Sequence, residues 1–152
     1  MKKIFTCILT LFLLANFISP HIVNATEVDT EITYMDNGDY IETTIISYSL
    51  NRSTTKTATK TATYKNSSGD ALWSVSVTCT FSYDYGISCT CTNVSGDSQS
   101  YSSNWKVSDV ITSKTGNTGT AKATGTKYLA FLPTNSYELS VTLTCDNYGN
   151  LS

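Results

Sequence analysis

Apolar and polar positions alternate with a period of two along most of the chain after residue 25. The clearest example is LWSVSVTCTFSYDYGISCTCT, residues 72–92. One face of its first half carries Trp73, Val75, Val77, Cys79 and Phe81. Successive side chains of a strand point to opposite faces, so this pattern predicts a strand with one buried and one solvated face. A turn at 84–86 follows, and the alternation then resumes, which predicts the central hairpin of an antiparallel sheet.

Similar stretches separated by turn residues occupy the rest of the chain. Asn37-Gly38 favours a tight hairpin turn. NRSTTKTATKTATYK predicts either a linker or an edge strand guarded by Lys56 and Lys60, and the edge strand is favoured for its second half. NWKVSDVI, AKATGTKYLAF and YELSVTLTC predict further strands. Roughly seven to eight short strands with frequent turns predict an all-β fold, an antiparallel immunoglobulin-like β-sandwich, with a small β-barrel as the alternative.

Small residues share one face of a predicted strand near the C-terminus. They are Ala121, Ala123 and Gly125. Such positions allow close approach of a bulky neighbour, and Trp73 and Trp105 are the candidates.

The N-terminus has the layout of a secretory signal peptide. Lys2 and Lys3 precede an apolar run over 4–18, and Val23 and Ala25 are small residues before a cleavage point. The run is short for a membrane span of about 20 residues. We therefore expect a signal peptide over 1–25, a loosely attached acidic segment with a hairpin over 26–52, and a β-sandwich domain over 53–152. The mature protein is predicted to be secreted and not an integral membrane protein.

Charge and histidine content exclude several functions. The mature chain would lose two of the 10 basic residues and keep all 12 acidic ones, for a net charge of −4. It lacks the concentrated basic face that nucleic-acid binding needs. The single histidine, His21, lies in the predicted signal peptide, which removes Ser-His-Asp, Cys-His and His-bearing zinc sites. We therefore predict no catalytic residue, no cofactor and no metal. A hydrolase built on paired carboxylates is the least favoured hypothesis, because most aspartates fall in turns.

Four cysteines remain after signal cleavage, all on the apolar stripes of their strands. They are Cys79, Cys89, Cys91 and Cys145. Zinc knuckles carry wider cysteine spacings on turns, and reactive thiolates need a positive, partly exposed setting. An even number of inward-facing cysteines in an exported chain instead favours disulfides. A hairpin centred on Asp84 would place Cys79 opposite Cys89 and leave Cys91 to pair with Cys145. The alternative is Cys79–Cys91 with Cys89–Cys145.

Tyrosine is abundant, with ten residues in the chain. Those at or near predicted turns are candidates for a binding surface, because exposed tyrosine gives rigid amphipathic contact area. They are Tyr85, Tyr101, Tyr128 and Tyr148. The alternative is that tyrosine is simply a good strand residue.

Three segments, YKNSSGDALWSVSVTCTFSYD, YSSNWKV and VTLTCDNYGNLS, resemble a family of small exported proteins from Gram-positive bacteria that are known only as domains of unknown function. The resemblance covers 53–152, and more loosely MDNGDYIETT. It implies a signal peptide, the Leu-Trp-Ser-Val strand and a terminal Leu-Thr-Cys strand. Cys91 and Cys145 fit the family pattern and Cys79 and Cys89 look like an addition, which supports Cys91–Cys145 as the basic bridge. The resemblance implies no activity, ligand or catalytic residue.

These observations predict a secreted, non-catalytic binding module whose partner is an unidentified protein or glycan, with association to a cell surface or glycan as one candidate. The alternative is a small secreted effector, either a bacteriocin-like toxin or an inhibitor. The sequence leaves the ligand and the oligomeric state open.

Overall fold

The computed structural model describes residues 24–49 and 54–152, with side chains given from residue 29 onward except at 49. The predicted signal peptide and His21 lie outside the described residues, apart from residues 24 and 25. Nine strands occupy the described part of the chain: β1 (Asn24–Tyr34), β2 (Tyr40–Ser49), β3 (Thr55–Lys65), β4 (Ala71–Asp84), β5 (Ser88–Ser100), β6 (Trp105–Val107), β7 (Ile111–Thr115), β8 (Thr118–Leu129) and β9 (Leu132–Thr144).

The strands form two antiparallel sheets that pack face to face. The first sheet has the sequential order β1-β2-β3-β4-β5. In the second, β8 is central, with β6 and β7 along one edge and β9 along the other. The predicted all-β sandwich is confirmed, and the sheets do not close into a barrel. Within the described residues the first sheet is a simple meander, whereas the predicted immunoglobulin-like arrangement requires Greek-key connections.

The segment predicted to be loosely attached is part of the first sheet. β2 pairs with β3 from Tyr40↔Lys65 to Tyr48↔Thr57, and Ile45 is buried in the core. Ile41, Ile45 and the buried Ser47 share one face of β2 and account for this attachment, since that face is covered by the core. β3 therefore lies between two strands and is not the predicted edge strand. The hairpin around Asn37-Gly38 is confirmed, but its turn is the longer Met35–Asp39 loop, with Gly38 at φ 84°.

The core lies between the sheets and follows the predicted parity. The odd-numbered apolar residues of β4 are fully buried, from Trp73 to Phe81. Opposite them, β8 and β9 contribute Ala121, Ala123, Leu139, Val141 and Leu143, all buried.

Gly125 of β8 lies against the face of Trp73. A Cβ atom built on Gly125 would stand 2.2 Å from Trp73 Cε2 and 2.6 Å from its Cδ2 and Nε1. Carbon atoms pack at about 3.5–4.0 Å, so only glycine fits at this position. The predicted close approach between this small-residue face and a tryptophan is confirmed for Trp73, which is fully buried.

Candidate functional site

The meander sends alternate turns to opposite ends of the sandwich. One end, called here the pocket end, carries the turns at 35–39, 66–70, 101–104 and 130–131. The other, called the cysteine end, carries the β4–β5 turn at 85–87 and the C-terminal segment 145–152. Amide N–H of Gly86 donates to the carbonyl of Asn147, which ties these two segments together.

A polar cavity of about 260 Å³ opens at the pocket end. Residues from both sheets line it: Asn37, Asp39, Tyr64, Asn66, Leu72, Ser102, Asn104, Trp105, Lys127, Asn135 and Tyr137. Its floor is aromatic. The ring of Tyr64 lies 5.3 Å from that of Tyr137 and 5.4 Å from that of Trp105, centroid to centroid. Tyr64 and Trp105 are buried, whereas Tyr137 is partly exposed, so this cluster is a rigid base with one accessible ring.

The hydroxyl of Tyr64 donates a 2.6 Å hydrogen bond to Asp39 Oδ2. Asn37 Nδ2 donates to the same oxygen at 2.9 Å, and Asn37 Oδ1 accepts from the Asp39 amide. Burial raises the pKa of Tyr64, and the bond to the Asp39 carboxylate raises it further. The phenol therefore stays protonated as a donor, and Asp39 is held in one position at the edge of the cavity.

The polar side chains that the second sheet contributes to the cavity are free to bind a ligand. Among the described residues, the side chains of Asn104, Lys127 and Asn135 form no hydrogen bond, and all three are exposed. Lys127 of β8 lies directly between Trp105 and Asn135 in the sheet register, which places an ammonium and an amide on neighbouring strands. By contrast, the side chain of Asn66 already forms hydrogen bonds within its own turn, to Ser68 and Asp70.

The cavity therefore offers amide donors and acceptors, one ammonium and one carboxylate around an aromatic base. Pockets of this kind bind small ligands through a few placed polar groups over an apolar floor. Asp39 is the one carboxylate in the lining, whereas glycoside hydrolysis ordinarily uses a pair. No group of His, Cys, Asp and Glu suited to a metal ion occurs among the residues that the structure describes.

The four predicted surface tyrosines are not brought together. Tyr85 and Tyr148 meet edge to face at the cysteine end, with ring centroids 5.4 Å apart. Tyr101 and Tyr128 belong to the pocket end. The Tyr101 hydroxyl lies 3.1 Å from Ser74 Oγ, and the Tyr128 ring carries Lys106 Nζ 4.9 Å from its centroid. None of the four lines the cavity.

The thiols interact in the pairs given above as the alternative, Cys79 with Cys91 and Cys89 with Cys145. The β4–β5 hairpin turns about Gly86, not Asp84, so Cys89 lies opposite Tyr83 and Cys91 opposite Phe81. A register shift at Thr80/Phe81 then places Cys79 opposite Val94. The predicted placement of Cys79 opposite Cys89 is therefore wrong.

The thiol of Cys79 interacts electrostatically with that of Cys91, and the thiol of Cys145 with that of Cys89. The hydrogen bonds of Cys91 Sγ and Cys145 Sγ go to the backbone carbonyls of Asn93 and Asp146, at 3.3 and 3.4 Å. All four residues are free thiols in the structure. Burial raises the pKa of Cys79 and of Cys145 to about 12, and the neighbouring thiol contributes in each case. Neutral, buried thiols of this kind are poor nucleophiles, which argues against a reactive centre.

The cavity residues were missed in the sequence because each has an ordinary structural explanation. Asn37, Asn66 and Asn104 stand at or next to turns, where asparagine is common, and Asn135 is a polar residue within β9. The signal that could have revealed the cavity was the topology, because every second turn of a meander lies at the same end of the sheet. Asparagines at alternate turns would have indicated a shared site.

No protein-family model, no curated protein and no solved structure matches this chain. The resemblance to exported proteins of Gram-positive bacteria therefore stays a prediction. Among the described residues, no helix has the length and hydrophobicity that crossing a membrane requires.

Proposed function

We propose that this protein is a secreted, non-catalytic binding module that holds one sugar unit of a glycan in the cavity at the pocket end. The observation that carries the proposal is the cavity itself, in which two amide side chains and an ammonium without hydrogen bonds to the described residues surround an aromatic base. Sugar rings present apolar C–H faces and a ring of hydroxyl groups, so they match an aromatic surface flanked by hydrogen-bonding side chains.

Size and charge favour this class of ligand. A cavity of about 260 Å³ lies just below the range of about 300–1,000 Å³ typical of drug-sized ligands, so it suits a single small ring. Asp39 and Lys127 place one negative and one positive group in the lining, which suits a neutral or zwitterionic polar ligand better than a strongly charged one. The amide side chains of Asn104 and Asn135 can both donate and accept, as hydroxyl groups require.

Tryptophan fluorescence tests the proposal directly, because Trp105 lines the cavity and the chain has only two tryptophans. Titration with cell-wall and host glycan fragments is expected to change the emission in a saturable way for at least one sugar. Asn104→Ala and Asn135→Ala should each weaken that binding roughly tenfold, since removal of one hydrogen-bonding partner costs about 1–3 kcal/mol.

Asn93→Ala is the matched control, because Asn93 is an exposed amide of β5 outside the cavity lining. It should leave the affinity unchanged. Saturable binding that is indifferent to Asn104 and Asn135 would move the ligand elsewhere on the molecule. Cleavage of the bound glycan, followed by chromatography of the products, would contradict the non-catalytic part of the proposal.

We also propose that the mature protein carries two disulfides, Cys79–Cys91 and Cys89–Cys145. Support comes from the electrostatic interaction within each pair of thiols, from the position of Cys79 Sγ and Cys91 Sγ next to the same residue, Gly119, and from the secretory layout of the N-terminus. Oxidation of each pair releases two protons and passes two electrons to a thiol–disulfide oxidoreductase of the exporting cell. The loop-entropy estimate gives about 3 kcal/mol for the short ring and about 4 kcal/mol for the long one, before strain.

Peptide mapping without reduction distinguishes the pairings. The expected result is a peptide that links β4 to β5 through Cys79 and Cys91, and a second that links β5 to the C-terminal segment through Cys89 and Cys145. Recovery of a Cys91–Cys145 peptide, as the family resemblance suggested, would contradict the proposed pairing. Four alkylatable thiols in the protein recovered from culture medium would exclude both bridges.

A further inference from the structure

The hairpin that joins β8 and β9 ends in an exposed apolar tip. Four consecutive apolar residues, Leu129-Ala130-Phe131-Leu132, form this tip, which is called here the hairpin tip. Phe131 is 96% exposed, Leu129 70% and Leu132 69%. Runs of exposed apolar residues are unfavourable in water and are kept where they meet an apolar partner.

The backbone of the hairpin tip is also in an unusual conformation. Leu129 pairs with Leu132, so Ala130 and Phe131 form a two-residue loop with φ of 47° and 71°. Asparagine and glycine are the residues that suit such a loop, whereas a bulky aromatic at positive φ is strained. The sequence therefore keeps an almost fully exposed phenylalanine in this loop at a cost in stability, which indicates a function for its ring.

The surroundings of the hairpin tip resemble a membrane-interface belt. Lys106 Nζ lies over the ring of Tyr128, and both residues line one cavity with Phe131. Lys127 lies on the other face of β8. An apolar tip followed by tyrosine and lysine is the order of groups met on entering a bilayer, since aromatic rings settle at the headgroup level and cations bind anionic headgroups. The carboxylates of this end, Asp36, Asp39 and Asp70, belong to turns of the first sheet and not to this hairpin.

We propose that the hairpin tip is a membrane-docking element that inserts Phe131 and its leucine neighbours into the outer layer of an anionic bilayer. A convex tip with a nearly fully exposed ring suits a fluid apolar layer better than a rigid protein groove. Such docking is peripheral and reversible, because the inserted area is small compared with that of a lipid anchor. It would hold the cavity of the pocket end close to the lipid surface.

Vesicle co-sedimentation tests the proposal. Wild-type protein is expected to bind phosphatidylcholine vesicles that contain phosphatidylglycerol, and to bind less as salt is added. Phe131→Asp should weaken binding roughly tenfold or more, from the loss of one buried aromatic side chain. Lys106→Gln should weaken it about fivefold, the effect of one basic residue near an anionic surface.

Two further variants separate docking from folding. Ala130→Asn with Phe131→Gly supplies the residues that the loop conformation favours, so this double variant should melt at a higher temperature and still lose vesicle binding. Ile87→Asp removes another exposed apolar residue, 74% exposed, at the cysteine end, and should bind vesicles like the wild type.

Absence of wild-type binding to the anionic vesicles would overturn the proposal, as would equal binding by Phe131→Asp or equal loss in Ile87→Asp. Concentration-dependent dimerisation that Phe131→Asp abolishes, without vesicle binding, would also overturn it and would assign the tip to a second copy of the chain.

Discussion

Gly125→Ala is predicted to be among the most destabilising single-methyl additions in this protein. The new Cβ would lie 2.2 Å from Trp73 Cε2, more than 1 Å inside normal carbon–carbon contact. Neither partner can retreat. Trp73 is fully buried and packs against Tyr64 and Trp105, while β8 is held on both sides by β6 and β9.

Overpacking of a rigid core costs about 1–3 kcal/mol, and this site should reach the upper end of that range. For a domain of this size, about 3 kcal/mol corresponds to a fall in Tm on the order of 10 °C. Urea denaturation followed by tryptophan fluorescence measures the change in the free energy of unfolding. Gly116→Ala is a useful comparison, because Gly116 has a positive φ of 57° but no atom within 4 Å of the new methyl group, and should cost about 1 kcal/mol.

A double-mutant cycle with Trp73→Phe isolates the clash. If the methyl group collides with the indole, Gly125→Ala should cost at least 1 kcal/mol less in the Trp73→Phe background than in the wild type. A Gly125→Ala protein within 0.5 kcal/mol of the wild type would refute the reasoning, and so would strict additivity in the cycle.

Three other predictions address polar groups. Tyr64→Phe removes the 2.6 Å bond to Asp39 and should lower the free energy of unfolding by about 1–2 kcal/mol, measured by urea denaturation. Asp146→Ala should speed hydrogen exchange in the C-terminal turn at neutral pH, because it removes the hydrogen bonds from Asn150. These bonds lower the pKa of Asp146 in the folded state, so in the wild type the protection is lost as pH falls through that lowered pKa. In the fully reduced protein, the pKa of Cys79 and of Cys145 is raised to about 12. These two thiols therefore ionise near pH 9 only in the unfolded chain, and stability should fall as pH rises above about 9. An unchanged melting temperature between pH 8 and 10.5 would contradict this.

The sequence predicted strand identity and core membership well, because both depend on local alternation. Trp73 to Phe81 are buried in the predicted pattern, and Gly125 meets a tryptophan. The hairpin register was wrong because it depends on turn geometry. Gly86, at φ 76°, is the residue about which the β4–β5 turn closes, and a register shift at Thr80/Phe81 adds a further displacement that alternation does not reveal.

The cavity could not be predicted in the same way, because it depends on which turns share an end. Asn37 and Asn135 are about a hundred positions apart; by itself the first is an ordinary turn residue and the second an ordinary polar residue of a strand. The same holds for Lys127 and Tyr137, whose proximity follows from the pairing of β8 with β9 and from the packing of the two sheets. The strained conformation of Ala130 and Phe131 was equally hidden, since their sequence carries no turn signal.

The sequential order of the first sheet has a consequence for how this protein folds. Every pairing from β1 to β5 joins strands that are neighbours in sequence, so each closes a short loop at a small entropic cost. Hairpins of this kind form in about 1–10 μs, whereas Greek-key sandwiches must first bring distant strands together. We expect the first sheet to grow by addition of successive hairpins. The slow step is then the docking of the two sheets, in which Trp73 packs against Gly125.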